Sequence, residues 1–182
     1  MPATPAFRLR PAQLDDVPAL EAMIARSARG LGVGDYDAVQ VEAALAGAFG
    51  VDTQLIHDGT YFVAEHEGEP VGCGGWSRRR TLFGGDADPN RDAGLLDPAR
   101  DAARIRAFFV DPAQARRGIG RALLERCEAE AQAAGFRAFE LMATLPGVRL
   151  YEALGYRRGA PVEHPLQPGI SIRFVPMTRA VT

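Results

Sequence analysis

The chain has 182 residues, with 21 Lys and Arg against 23 Asp and Glu and a formal net charge of −2, so it has no global basic field for nucleic acid or an anionic membrane. A chain of this length suits one domain that buries roughly 70% of the surface of its unfolded state. Its two cysteines, Cys73 and Cys127, lie in apolar segments, which argues against a disulfide framework or zinc site and for buried free thiols.

No apolar run reaches the roughly 20 residues of a membrane span, and the start "MPATPA" lacks a secretory signal. The expectation is a cytoplasmic protein with no nucleic-acid or membrane partner. Residues 1–5 read as a flexible N-terminus and 6–182 as a single domain.

In chain order, "AFRLR" (6–10) reads as a first strand. Asp15 or Asp16 caps a helix with Pro18 in its first turn and Gly30 at its end. Leu20, Met23, Ile24 and Ser27 fall on one face of that helix. "GLGVGDY" is a loop, and Asp37 with Gln40 has capping-box spacing for a second helix through Phe49. Residues 53–77, "TQLIHDGTYFVAEHEGEPVGCGGWS", hold three strand candidates separated by turn chemistry at Asp58-Gly59 and Glu67 to Pro70. Residues 78–102 carry Gly, Pro, Asp and Arg without a sustained period, and since connections this long are usually functional or disordered the segment is a candidate substrate loop.

"ARIRAFFV" resumes as a strand. Ile119, Leu123, Cys127, Ala131 and Ala134 then recur at helical spacing, with Gly135 placed to end the helix. "FRAFELMAT" is a strand, "GVRLYEALG" a short helix and "ISIRFVPM" a final strand. The fold class is α/β, a mixed, mostly antiparallel sheet flanked by helices.

The junction "FFVDPAQARRGIGRALL" joins a strand to a helix through two glycines and two arginines. A helix beginning at such a turn directs unpaired backbone N–H groups and its dipole at one place, which suits an anion. Arg116 and Arg117 add donors for phosphate. Gly118 and Gly120 let a ligand approach the backbone, so the junction suits a pyrophosphate. A dinucleotide fingerprint fits poorly, because the third small position of G-x-G-x-x-G is missing and the turn follows a meander.

Residues 105–156, "IRAFFVDPAQARRGIGRALLERCEAEAQAAGFRAFELMATLPGVRLYEALGY", resemble the cofactor-binding core of the GNAT acyltransferase superfamily, and element order is consistent with it over 6–177. The resemblance implies a GNAT-like acyl-CoA N-acyltransferase fold and acetyl-CoA as acyl donor, with no metal. It implies that the backbone of Phe108, Phe109 and Val110 pairs with the pantetheine arm. Arg116, Arg117, Gly118, Ile119, Gly120 and Arg121 would wrap the pyrophosphate, with Ala122 closing the turn. The family's Q/R position falls on Ala115, or on Arg117 if the frame shifts to Arg117, Gly120 and Ala122. Thr144 stands where many relatives carry a cofactor-contacting asparagine, and Tyr156 stands for the usual phenylalanine.

Attack of an amine on a thioester needs a donor for the oxyanion and a proton for the departing thiolate. The resemblance places the donor at the N–H of Phe109 or Val110 and the general acid at Tyr151, whose phenol, of reference pKa about 10, is protonated at neutral pH. Tyr151 would otherwise pack with Leu150 and Leu154. Glu65, Glu67 and Glu140 are the acidic candidates for a base, each equally readable as a solvated strand residue. His57, His66 and His164 lack metal-ligand spacing.

The acceptor is expected from the side of residues 31–36, with Tyr36 and Trp76 as candidate contacts and the 78–102 loop beside them. Trp76 reads also as a core residue or a homodimer contact. Arg78, Arg79 and Arg80 would attract an acidic acceptor or are simply solvated. The function expected is acetyl transfer from acetyl-CoA to a primary amine, of a small molecule or peptide, by direct attack in a ternary complex. The alternative is a non-catalytic acyl-CoA binding or sensing module.

Overall fold

The computed structural model describes residues 6–89 and 91–182, so the expectation for residues 1–5 lies outside the described residues. Strand β1 (Arg8–Pro11) leads through a 3₁₀ turn into helix α1 (Val17–Leu31). Pro18 sits where a helix needs no N–H donor, and Leu20, Met23, Ile24 and Ser27 are its buried residues.

Helix α2 (Ala38–Leu45) is opened by the expected box: the Asp37 carboxylate accepts the Gln40 N–H while the Gln40 side chain accepts the Asp37 N–H. It stops short of Phe49, because the N–H groups of Ala46, Gly47 and Phe49 fold back onto the carbonyls of Ala43 and Ala44. Residues Thr53–His57 form helix α3, not the first of three strands. The Asp52 carboxylate accepts the Gln54 N–H at 3.0 Å, and this local cap overrides the weak strand preference of the segment.

Strands β2 (Tyr61–His66) and β3 (Glu69–Ser77) form a hairpin through Glu67 and Gly68, both at positive φ. Residues 78–102 form no helix or strand among the described residues, apart from a bridge between Arg79 and Leu95. Strand β4 (Ala103–Val110), helix α4 (Ile119–Ala133), strand β5 (Ala138–Thr144) and helix α5 (Val148–Ala153) follow. Strands β6 (Arg157–Arg158) and β7 (Val162–Gln167) went unforeseen, one being two residues long and the other a polar segment carrying Pro165. Strand β8 (Ile170–Ala180) runs three residues beyond the expected end.

The sheet order is β1-β2-β3-β4-β5-β8-β6, with β7 also on β8, and the pairing is antiparallel except between β4 and β5. One core lies under α4 and α5, around Leu123, Leu124 and Phe139. The other lies under α1 and α2, around Leu20, Ile24 and Val63. Cys73 and Cys127 are free and buried, one in each core. Burial pushes the Cys73 thiol up to about 12, which leaves it protonated and unreactive at neutral pH.

Two irregularities shape the middle of this sheet. The parallel pairing of β4 with β5 stops after Ala103 with Phe139 and Arg104 with Glu140, and an Arg104–Glu140 ion pair ties this closed end. Beyond it the strands part, and the edge of β4 that faces β5 has no ladder partner. On its other edge β4 carries a bulge, since Cys73 pairs with Phe109 but Gly75 with Arg106. Ala107 stands in the bulge at φ 54°, and its displaced carbonyl accepts the Tyr61 hydroxyl at 3.2 Å. The extra residue sends Ala107 and Phe109 to the α1 and α2 core and Phe108 to the α4 and α5 side.

Candidate active site

The parted strands open a cleft of about 570 Å³, counting its open mouth. Phe108, Phe109, Thr144 and Tyr151 line it together. Val110 ends β4 just beyond, partly buried against the α4 core. Next in the chain, Asp111 accepts the Ala113 N–H and closes a 3₁₀ turn, and the backbone then reaches Gly118.

Gly118 adopts φ 83° as the N-cap of α4, a left-handed conformation that most residues resist. No side chain caps this helix. Among the described residues, the N–H groups of residues 116–121 donate to no protein acceptor. The first turn of a 15-residue helix therefore presents a set of free donors at its positive end. Arg116 and Arg117 are exposed and outside every ion pair found, whereas Arg121 lies 3.8 Å from Glu125 on the helix surface. Ile119 is buried, and Ala122 donates its N–H to the Gly118 carbonyl at 3.0 Å.

Gly120 has a structural duty besides. A Cβ there would lie 2.8 Å from Leu150 Cδ2, on the helix that carries Tyr151. Gly120→Val is expected to push Leu150 aside and to cost about 1–3 kcal/mol of stability. Chemical denaturation would check this, and an unchanged midpoint would show that Leu150 gives way freely.

Tyr151 is 7% exposed. Its ring packs edge-on against Phe108, with centroids 6.4 Å apart, and against Tyr156 at 5.7 Å. Tyr156 in turn donates to Glu128 at 2.8 Å, and Glu128 pairs with Arg179 at 2.5 Å. The Tyr151 hydroxyl has no hydrogen-bond partner among the described residues, yet it is not sealed off, since Arg106 Nε alone is both fully enclosed and unpartnered. Burial, with Cys127 beside it, raises the phenol above its ordinary value. The result is a protonated phenol on a residue that lines the cleft.

No carboxylate lines the cleft. Glu140 is held by Arg104 at the closed end, Glu65 by Arg8 and Arg10 at the far edge of the sheet, and Glu67 sits in the hairpin turn. No group of three or more His, Cys, Asp or Glu side chains among the described residues is arranged to hold a metal.

Tyr36 is a staple: its hydroxyl donates to the Arg173 carbonyl at 2.7 Å and accepts the Leu145 N–H at 2.9 Å. Burial pushes this phenol up to about 12. An acid raised on folding contributes stability that is intact below its unfolded value near 10 and is lost as pH climbs through the folded one. Thermal stability should therefore fall between pH 10 and 12, and Tyr36→Phe should shrink its part of that fall. A variant whose pH profile matches the parent would remove Tyr36 from this balance.

Trp76 is 2% exposed and packs on Phe136 in the α4 core, with Nε1 donating to Glu130 at 3.4 Å. It does not line the cleft. Arg78 lies over its ring, and Arg79 is bound to Asp58, so these two neighbours do not form a free cationic face. The long loop does reach the cleft, through Leu82, Phe83 and Gly84.

The least anticipated element is beneath that loop. Arg106, on β4, donates to Asp52 at 2.9 Å and to the carbonyls of Gly84 and Thr81 at 2.6 and 3.3 Å. Asp52 also holds Arg91, and Asp86 bridges Arg91 to the Thr53 N–H. This network pins the loop to α3 and β4. A second cavity lies beside it, bordered by His57, Arg79 and Arg91, with both arginines already paired to carboxylates.

A mixed sheet whose parallel pair splits next to an uncapped helix start offers one cleft with an open strand edge and a set of free N–H donors. The chain belongs to the acetyltransferase (GNAT) family, whose model matches residues 40–156. A comparison with curated proteins returns no match. Among solved structures, a GCN5-related N-acetyltransferase from Rhodopseudomonas palustris superposes with a TM-score of 0.71 at 20% identity, covering 97% of this chain and 96% of its own. The PaiA N-acetyltransferase of Thermoplasma acidophilum, solved with coenzyme A, gives 0.65 at 12% identity, covering 96% and 98%. YncA from Salmonella typhimurium, solved with its cofactor acetyl-CoA, gives 0.62 at 17%, covering 97% and 94%. At such identities the likeness speaks for the fold.

Proposed function

We propose that the protein is an N-acetyltransferase that moves an acetyl group from acetyl-CoA to a primary amine by direct attack within a ternary complex. One observation carries this reading: Tyr151, whose hydroxyl has no protein partner among the described residues, lines the same cleft as Phe108 and Phe109 of the parted strand β4. A module that only bound acyl-CoA would need the edge but not the free phenol. The neighbours solved with coenzyme A and with acetyl-CoA support the choice of donor.

The donor fits the residues present. Its amide-bearing arm matches the free edge of Phe108 to Val110, and its pyrophosphate matches the free N–H groups of residues 116–121 with Arg116 and Arg117 beside them. Acetyl-CoA supplies the thioester carbonyl when bound. The sequence placed the oxyanion donor at Phe109 or Val110; the Phe109 N–H faces Cys73 of β3, so the Val110 N–H would supply it as the amine nitrogen bonds to that carbon. Tyr151 would give its proton to sulfur as the C–S bond breaks and regain one from solvent, and the nitrogen would lose a proton to water, since no carboxylate among the described residues lines the cleft.

Calorimetry with acetyl-CoA, followed by thiol detection across an amine panel, tests the proposal. Binding with amine-dependent thiol release is the expected result. Binding without release from any amine would leave the non-catalytic acyl-CoA module in its place.

A further inference from the structure

On the side of the sheet opposite Tyr151 the cleft is floored by rings. Phe109 of β4 meets Phe49, just past α2, with centroids 5.7 Å apart, and Phe49 lies 6.2 Å from Phe174 of β8. Phe83 of the long loop stands 5.4 Å from Phe174 and 4.7 Å edge-on from His164 of β7. Leu82 and Met142 extend the same lining. Three strands and two loops thus contribute a continuous aromatic face.

The charges around this face are spoken for. Among the described residues Arg106 is the one charged side chain lining the cleft, and it is committed to Asp52, Thr81 and Gly84. Asp52 is 1% exposed and shared between Arg106 and Arg91. Glu163, on β7, is held by Arg173 at the surface. A second ammonium group brought onto the rings would shed water and meet no free carboxylate. An apolar body would instead exchange water for ring contact.

We infer that the acceptor is a small monoamine with an aromatic or branched-aliphatic body, seated on the Phe49, Phe83, Phe109 and Phe174 face. This assignment rests on the acyl-transfer reading, with the pantetheine arm on the free edge of β4 and the amine entering from the ring-lined side. Phe83 is the specificity element, because the loop brings it to the cleft from outside the sheet.

The full-length protein, saturated with acetyl-CoA, should be offered phenethylamine, benzylamine and isoamylamine against spermidine, glucosamine and a lysine peptide. One apolar group in a pocket is worth roughly 10–200-fold in kcat/KM, so the apolar monoamines should lead by at least about 10-fold. Phe83→Asp places a carboxylate on the face and should invert the ranking of phenethylamine and spermidine, with acetyl-CoA affinity by calorimetry kept as the check on folding. Phenethylamine should also bind the CoA-loaded protein measurably, and spermidine should not.

Equal or better use of spermidine by the parent protein overturns the acceptor class and leaves acyl transfer standing. An unchanged ranking in a folded, cofactor-binding Phe83→Asp protein removes the aromatic face from acceptor recognition. Acetyl-CoA binding with no thiol release from any amine overturns the transfer reading and the acceptor class together.

Discussion

Replacing Tyr151 with phenylalanine should lower turnover by roughly 10²- to 10⁴-fold, the range associated with losing a positioned general acid. The substitution removes one oxygen from a ring that is already held by Phe108 and Tyr156, so the packing of α5 stays as it was. Among the described residues the hydroxyl donates to no protein group, and its loss orphans none of them. Acetyl-CoA affinity should therefore be nearly unchanged, with the deficit confined to kcat and appearing equally in kcat/KM. Single-turnover measurements at several pH values separate the step from product release. A phenylalanine variant that turns over at the parent rate would reduce Tyr151 to a packing residue.

Asp52→Ala should be the most destabilising single change in the chain. The carboxylate is 1% exposed, caps α3 through the Gln54 N–H, holds Arg91 and neutralises Arg106, whose own side chain is 1% exposed. Truncating it leaves a guanidinium buried with only the Thr81 and Gly84 carbonyls. Breaking one half of a buried pair costs about 3–5 kcal/mol, against a total stability of about 5–15 kcal/mol for a domain. For a chain of this size that is a fall in melting temperature of roughly 6–20 °C. The double change Asp52→Leu with Arg106→Met should recover part of the loss, because two apolar side chains leave no stranded charge. If the double variant melts below Asp52→Ala, the stranded charge is not the cause.

How much of this was legible in the sequence depends on whether a residue's role is local. The box of Asp37 and Gln40, the buried face of α1 and the glycine-opened α4 are set by spacings of three and four residues, and pattern alone exposes them. Thr53–His57 misled because its cap, Asp52, also belongs to a long-range network that no local pattern reveals. Arg106 stands within "ARIRAFFV", where no local pattern marks it as buried. Its burial depends on a bulge at Ala107, where a non-glycine residue takes positive φ and sequence offers no warning.

The candidate site divides the same way. The turn at 116–122 and Tyr151 were visible as a family-like segment, whereas the ring face of Phe49, Phe83 and Phe174 is assembled from residues far apart in the chain. The length of the 78–102 loop was legible and its anchorage was not. Two of its carbonyls, those of Thr81 and Gly84, satisfy Arg106, so deleting the segment would strand a buried charge.

The parting of β4 from β5 gives one strand two different lifetimes. Ladder bonds on both edges protect backbone amides from solvent exchange, and the loss of one ladder exposes the amides that faced it. In deuterated water, the amides of Ala103 and Arg104, beside the tied end, should exchange slowly. Those of residues 108–110 that face the split should exchange faster in the free protein. A ligand that lies along that edge acts as a temporary strand and should slow them selectively, and by linkage it should raise the unfolding midpoint with ligand concentration. The split is thus a place where the sheet is kinetically open, and its occupant would complete the sheet as well as react in it.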